Sequence, residues 1–406
     1  MVQDNQGKIW TKEFTIVTFV NFFTAMNFYL LMITMASFSM TKFGASPAIA
    51  GFCVSAFTIG ALVMRFFVGS SLSKYGYKKV LMVGIIACVV FSVSYFFVTS
   101  IPLLIVIRVL HGLTFGINSS AAATIASDII PPEKKGQGIG YYSMSQIMAT
   151  CVGPFVGVWL TVTGSYNLVF YFCISLAVLN LILAPMMKLR KIVLTEAEKK
   201  AASGFRITNV LEPRVVPVCI IAALVYMCYA SISSFLAVYA KAYNLVAAAS
   251  VFFVVYSVVI LITRPPISKL FDKKGENSVL YPALICFALG FAIYSHAPNS
   301  IFLLISAAII GVGYGASQSS CQSVAVKYTE KNRLAFANTT YYLMSDIGMT
   351  LGPIIAGLLV TPFGYKGMYN WVFIFTIIIV VLYYLLHGRR EKQLEAEVLG
   401  IGKQAS

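Results

Sequence analysis

Acidic and histidine side chains are what this chain has least of. Its 14 Asp and Glu stand against 30 Lys and Arg, and charged residues of both signs reach only 11%. A soluble globular surface needs roughly a quarter of its residues charged, so a water-soluble protein is excluded. Histidine occurs three times, at 111, 296 and 387. Three scattered imidazoles cannot build an HExxH site, which leaves an intramembrane hydrolase without its metal ligands. There is no GxxxxGK[ST] loop to cradle a nucleotide, so ATP is not the energy source within this chain. The eight cysteines lie in apolar runs without CxxC or Cys/His spacing. They read as packing residues, with no disulfide, metal or cofactor implied. The opening MVQDNQGKIWTKEF lacks the zones of a cleaved leader, and the first apolar run is expected to do the targeting.

What is present is apolar length. Hydrophobic residues make up 59% of the chain and the mean hydropathy is +0.84, the composition of an integral membrane protein. A bilayer crossing needs about 20 apolar residues, and twelve runs qualify: 14–37, 48–70, 79–99, 102–125, 138–161, 166–187, 215–239, 248–268, 279–296, 301–325, 335–361 and 368–387. The expected fold is all-α, with six spans on either side of a polar insert. The organisation expected is an N-terminal bundle over 1–187, a linker over 188–213, a C-terminal bundle over 214–388 and a tail over 389–406. The linker is charged at helix-compatible spacing, and a solvated surface helix explains it without chemistry.

A net charge of +16 would point to nucleic acid in a soluble protein, but its placement decides otherwise. With the N-terminus inside, the Lys and Arg residues fall on inner segments except Lys42, Lys241 and Lys366 on outer loops and Arg65, Arg108 and Arg264 within spans. That asymmetry orients the chain with both termini in the cytoplasm of a cell carrying it in its plasma or inner membrane. Nucleic acid is not an expected partner; the lipid bilayer is.

The two halves are copies. Small residues Ala149, Gly153 and Gly157 repeat at i, i+4 and i+8 and make a smooth stripe on the fifth span, where Pro154 removes a backbone donor and is expected to kink the helix. The design returns as Gly348, Gly352, Pro353 and Gly357, an offset of 199 (352 against 153). The same offset relates Arg65 to Arg264, Gly76 to Gly275, Gly112 to Gly311 and Gly116 to Gly315. One constant spacing over so many landmarks describes a duplicated unit, hence two pseudo-symmetric six-helix bundles.

Polar residues inside spans are the candidate site. On span four Arg108, His111, Gly112, Phe115 and Ser119 share about a third of the circumference, with Arg108 about 8 Å and His111 about 12 Å into the hydrocarbon. Cations at that depth face water or a partner; function and structural pairing are both open for each. Asn21 and Asn27 lie on span one, far apart around the axis, and serve either as solute contacts or as bonds between helices. Span five carries the ridge Tyr142, Gln146 and Thr150; span seven offers Tyr226 and Tyr229; span ten offers Gln318 and Gln322. Asp346 is the one carboxylate deep in a span, about 16 Å in. It is read as functional, with an interhelix hydrogen bond as the structural alternative.

Three motifs make the chain resemble a major facilitator superfamily transporter over nearly its whole length. Gly69, Lys74, Gly76 and Lys78 match the loop signature G-x-L-A-D-R-x-G-R-K, with Ser73 replacing the acid; the second copy keeps it, with Arg264, Leu270, Asp272 and Gly275 in register. Arg108-VLH-Gly112 resembles the fourth-helix R-x-x-x-G motif. Gly140, Gly153, Pro154 and Gly157 resemble the antiporter motif of the fifth helix, with Ala149 conservative and Val158 divergent. The resemblance is nearest to the drug:proton antiporter and small-metabolite exporter branch. It implies the major facilitator fold, a cavity between the halves lined by spans one, four, seven and ten, and gating loops whose first-half latch is weakened by Ser73. It links Arg108 to proton coupling; our own expectation is that Asp346, with His111, carries the proton while Arg108 biases its affinity, that a monomer moves the small-molecule substrate, and that kinks at Gly153, Pro154, Gly352 and Pro353 permit rocking. With two basic groups set against one acid, the expected solute is an anionic or zwitterionic amphipath moved outward. Proton-coupled uptake, or a non-transporting sensor, is the alternative.

Overall fold

The structure is a computed structural model and describes residues 8–131, 134–162, 165–189, 211–329, 334–391 and 393. Most of the linker expected over 188–213, and of the tail after 389, lies outside the described residues. The chain divides into two compact units. One holds the residues up to Ala45 together with Phe52 to Phe205; the other holds Ser46–Gly51 and everything from Arg206 on.

The first unit contains α1 (Lys12–Phe43), α2 (Pro47–Tyr75), α3 (Tyr77–Ser94), α4 (Ile101–Ile129), α5 (Lys135–Val162) and α6 (Tyr166–Leu183). α1 shows how the sequence sets an element. Thr11 caps its start by accepting from the Phe14 amide at 3.1 Å, and Gly44 closes its end in the left-handed region at φ 64°, where a Cβ would be strained. Between these caps α1 is predominantly apolar, and it is the most enclosed helix of its unit, packed on α4, α5 and α6. Val17 and Val20 of α1 meet Leu81 and Ile85 of α3 and Ala121, Ala122 and Ile125 of α4 in one apolar cluster.

The second unit contains α7 (Val216–Ala242), α8 (Val246–Lys274), α9 (Asn277–Ser295), α10 (Ser300–Lys327) and α11 (Leu334–Leu386). Among the described residues there is no strand, and eleven helices are long and apolar enough to cross a bilayer. α11 has 53 residues, about 80 Å at 1.5 Å per residue, against a hydrocarbon core of about 30 Å. Gly364, at φ 66° and ψ 178°, leaves the helical region inside it. α11 is therefore two membrane-length legs joined at a glycine corner, and these complete the twelve spans expected from hydropathy. The separating loop expected between 361 and 368 is reduced to that one residue.

The duplication is visible in the contacts. A Cβ on Gly112 would collide with the Phe57 carbonyl, and one on Gly311 would press on the Tyr256 carbonyl; Gly116 faces Ala61 as Gly315 faces Ile260. Each pair is related to the other by 199 positions. Gly153 lies against Met26 and Tyr29 of α1, and Gly352 against Met227 and Ala230 of α7. The stripe of small residues is thus a backbone-to-backbone seam, α5 on α1 and α11 on α7.

Candidate functional site

The loop signatures are mostly helical. α2 runs through Lys74 and Tyr75, and α8 through Arg264 and Asp272; only Gly76 (φ 84°) and Gly275 (φ 80°) leave the helix. The backbone that turns there needs glycine, so the two invariants of the repeat mark one corner used twice. Lys78 follows the first corner and donates to the carbonyls of Pro185 (2.8 Å) and Met187 (2.6 Å). It holds the start of α3 to the end of α6, where a cation also suits the helix dipole. Gly69, Lys74, Arg264 and Asp272 are exposed, with the Lys74 ammonium 5.1 Å from the Tyr75 ring.

In the first unit the polar residues turn inward. Arg108 and His111 are each 1% exposed. The Arg108 guanidinium donates from Nε to the Cys53 carbonyl (3.1 Å) and from Nη2 to the Val54 carbonyl (3.0 Å), and lies 4.7 Å from the Phe57 ring. His111 bonds through Nδ1 to the Tyr95 hydroxyl (3.2 Å) and through Nε2 to the Cys88 thiol (3.4 Å). Asn21 donates to Ser145 of α5 at 2.8 Å, and Asn27 to the Cys173 carbonyl of α6 at 3.1 Å. Both asparagines bind helix to helix. Phe115 stacks on Phe28 (4.9 Å), and Gln146 donates to the Tyr29 hydroxyl at 3.3 Å.

In the second unit the polar residues converge. Gln318 of α10 donates to the Tyr226 hydroxyl of α7 at 2.6 Å, and its carbonyl accepts from the Tyr341 hydroxyl of α11 at 2.9 Å. One turn on, Gln322 donates to Asn338 (3.4 Å) and to the Tyr342 hydroxyl (3.2 Å). Asn338, Tyr342 and Asp346 lie at i, i+4 and i+8 on the first leg of α11, so the half-buried carboxylate extends the row that Gln322 joins. Sequence reading missed Asn338, Tyr341 and Tyr342, although the i, i+4, i+8 spacing to Asp346 was there to be read. Tyr229 lies away from this row in the core, stacked on Tyr314 at 4.4 Å. The helix runs on through Pro353, and Gly364 is the residue within it that has non-helical dihedrals.

The profile of the Major Facilitator Superfamily matches residues 17–300 and 218–403. The chain belongs to that superfamily. Among its relatives, an uncharacterized MFS-type transporter of Methanocaldococcus jannaschii is 25% identical over 95% of this chain and 98% of its own length. The multi-drug resistance efflux pump PmrA of Streptococcus pneumoniae is 25% identical over 89% of this chain and 92% of its own. The fold is shared with solved transporters: a peptide transporter of the POT type in complex with sulfate (TM-score 0.78, 15% identity, 96% of both chains) and a D-xylose–proton symporter (TM-score 0.73, 14% identity, 92% of this chain and 97% of that one). As a superfamily member the protein is a secondary transporter and not an enzyme. It carries a small-molecule substrate across a membrane without nucleic acid or ATP.

Outside the spans, Glu276 is a fully buried carboxylate that was not singled out from sequence. Glu276, just before α9, bonds Lys327, Tyr328 and His387. Burial alone would raise its pKa; the bonds from His387, Lys327 and Tyr328 outweigh burial and hold it down at about 2.

Proposed function

We propose that the protein is a proton-coupled exporter of a small amphipathic solute, working by alternating access. The observation that carries this is the polar row of the second unit, in which Asp346 shares a helix face with Tyr342 and Asn338, the two residues that Gln322 ties to α10. A carboxylate that deep is costly to keep charged, and a protonatable acid beside a hydrogen-bonding wall gives proton and solute a way to favour different states. The antiporter-type stripe of α5, with Gly153 and Gly157 seated against α1, and the efflux pumps among the relatives support outward transport. The charge asymmetry supports cytoplasmic termini, and a monomer suffices.

The solute's sign is revised here. The anionic expectation rested on Arg108 and His111, and both are enclosed within the first unit with their charge or hydrogen bonds directed at Cys53, Val54, Tyr95 and Cys88. Asp346 is left as the ionisable group of the polar row, so a zwitterionic or neutral amphipath fits better than an anion. The test is proton movement in energised inverted vesicles, followed with a pH-sensitive dye, as anionic, zwitterionic, neutral and cationic solutes are added. Proton release with zwitterionic or neutral amphipaths is the expected result. Release with anions alone would overturn the assignment of sign, and no release with any solute would move the reading to uptake or uniport.

A further inference from the structure

One end of the second unit, where α9 starts and α10 and α11 finish, converges on a single carboxylate. Glu276 is 0% exposed. Its Oε2 accepts from Lys327 Nζ at 2.8 Å, and its Oε1 accepts from the Tyr328 hydroxyl at 2.6 Å and meets His387 Nε2 at 3.0 Å. Lys327 and Tyr328 end α10, and His387 follows α11. The next residue repeats the pattern: Asn277 donates to the Gly388 carbonyl (2.8 Å), and its Oδ1 accepts from the Tyr383 hydroxyl (2.6 Å). Two consecutive residues therefore gather three helix ends.

Charge makes this more than a packing detail. Glu276 and Lys327 balance each other, and His387 is the third member, buried between the rings of Tyr328 and Tyr383 at 5.7 and 5.9 Å. Among the described residues, Tyr281 of α9 lies against Gly388 and packs on Tyr383, while Lys273, Lys274, Arg389 and Arg390 are near in sequence. Glu391 accepts from the Asn277 amide at 3.3 Å. A proton gained by His387 converts its bond with the Glu276 carboxylate, in which only the acceptor is charged, into an ion pair. The first unit places different chemistry at these positions: the offset of 199 carries Glu276 to Tyr77 and Lys327 to Asp128.

We propose that Glu276 and His387 form a pH-responsive latch that fixes the ends of α9, α10 and α11 as one body and tightens when His387 takes up a proton. On the orientation argued above, this end faces the cytoplasm, so the latch responds to internal pH. The inference goes beyond transport and is tested without it. Purified protein and a His387→Gln variant, which keeps a neutral donor, are melted from about pH 8.5 to about pH 5.5, the range over which histidine ordinarily changes charge. The parent's midpoint should rise relative to the variant by about 3 °C on acidification. Parallel curves would overturn the latch. Should His387→Gln fail to fold, imidazole proton NMR of the parent replaces it. With only three histidines and exposed His296 removed as His296→Gln, the His387 signal is expected to move with pH over that range and to respond differently in Glu276→Gln. A His387 signal that stays fixed across the range, or one that titrates unchanged in Glu276→Gln, would also overturn it.

Discussion

Matching aromatic triads in the two halves carry different chemistry. In the first unit Phe28, Phe57 and Phe115 form an aromatic triad with centroids 4.9 to 5.6 Å apart. In the second, Tyr229, Tyr256 and Tyr314 form the corresponding triad at 4.4 to 5.9 Å. Phe57 maps to Tyr256 and Phe115 to Tyr314 by the offset of 199, with the α1 and α7 partners shifted by two more. The geometry is kept and three hydroxyls are added. Polar groups follow the same division. The first unit directs its Asn, Arg and His side chains into bonds between helices, which is a fixed framework. The second gathers Tyr, Gln and Asp346 on adjoining helix faces, and pins one end of its bundle through Glu276. Duplication supplied two scaffolds, and among the described residues the second sets Asp346 within a membrane-length helix.

The comparison breaks first at the helix seams. A Cβ on Gly348 would run into the Ala223 carbonyl, whereas one on Gly153 would sit 3.0 Å from Met26 and Tyr29. Gly348→Ala should therefore cost about 3 kcal/mol, with Gly153→Ala near the lower end of about 1, measured as thermal midpoints in one detergent. Equal losses would show that the two seams are equally tight.

The helix-end ties come next. Glu276→Gln leaves Lys327 and His387 without their shared carboxylate and should destabilise by about 3 kcal/mol. Lys78→Met in the first unit, which removes hydrogen bonds to carbonyls only, should cost about 1 to 2. Glu276 also sets a pH dependence whose sign follows from its lowered pKa. The stability it contributes is fully present above its ordinary value of 4.5 and is lost as pH falls toward about 2. Melting in acid should show the parent losing its advantage over Glu276→Gln within that window.

Smaller effects separate packing from motif. Arg108→Lys cannot reproduce a fork that bonds two carbonyls while stacking on Phe57, and should lower the midpoint by a few degrees. Gly140, the first glycine of the antiporter-like stretch, has nothing within 4 Å of an added Cβ. Gly140→Ala should shift stability by less than about 0.5 kcal/mol.

Much of the fold was legible because a repeated backbone contact forces a repeated glycine: Gly112 and Gly311, Gly153 and Gly352 announce both the copies and their seams. The corner at Gly364 was hidden, since Pro362 and Gly364 look like a loop while the helix resumes at once on either side. For the site, helical spacing revealed which residues share a face but not which neighbour that face meets. Spacing grouped Arg108 and His111 on one face, yet the Cys53 and Val54 carbonyls that take the Arg108 donors leave no trace in side-chain identity. Glu276 escaped notice because its partners lie 51 and 111 positions away and match no pattern of the first half.

The central claim is that Asp346 carries the coupled proton, and replacing it by asparagine tests that most directly. Inverted vesicles bearing Asp346→Asn, with folded protein verified by the same melting curve as the parent, should show no solute-dependent proton release where the parent shows it. Full proton-coupled activity in that variant would contradict the account.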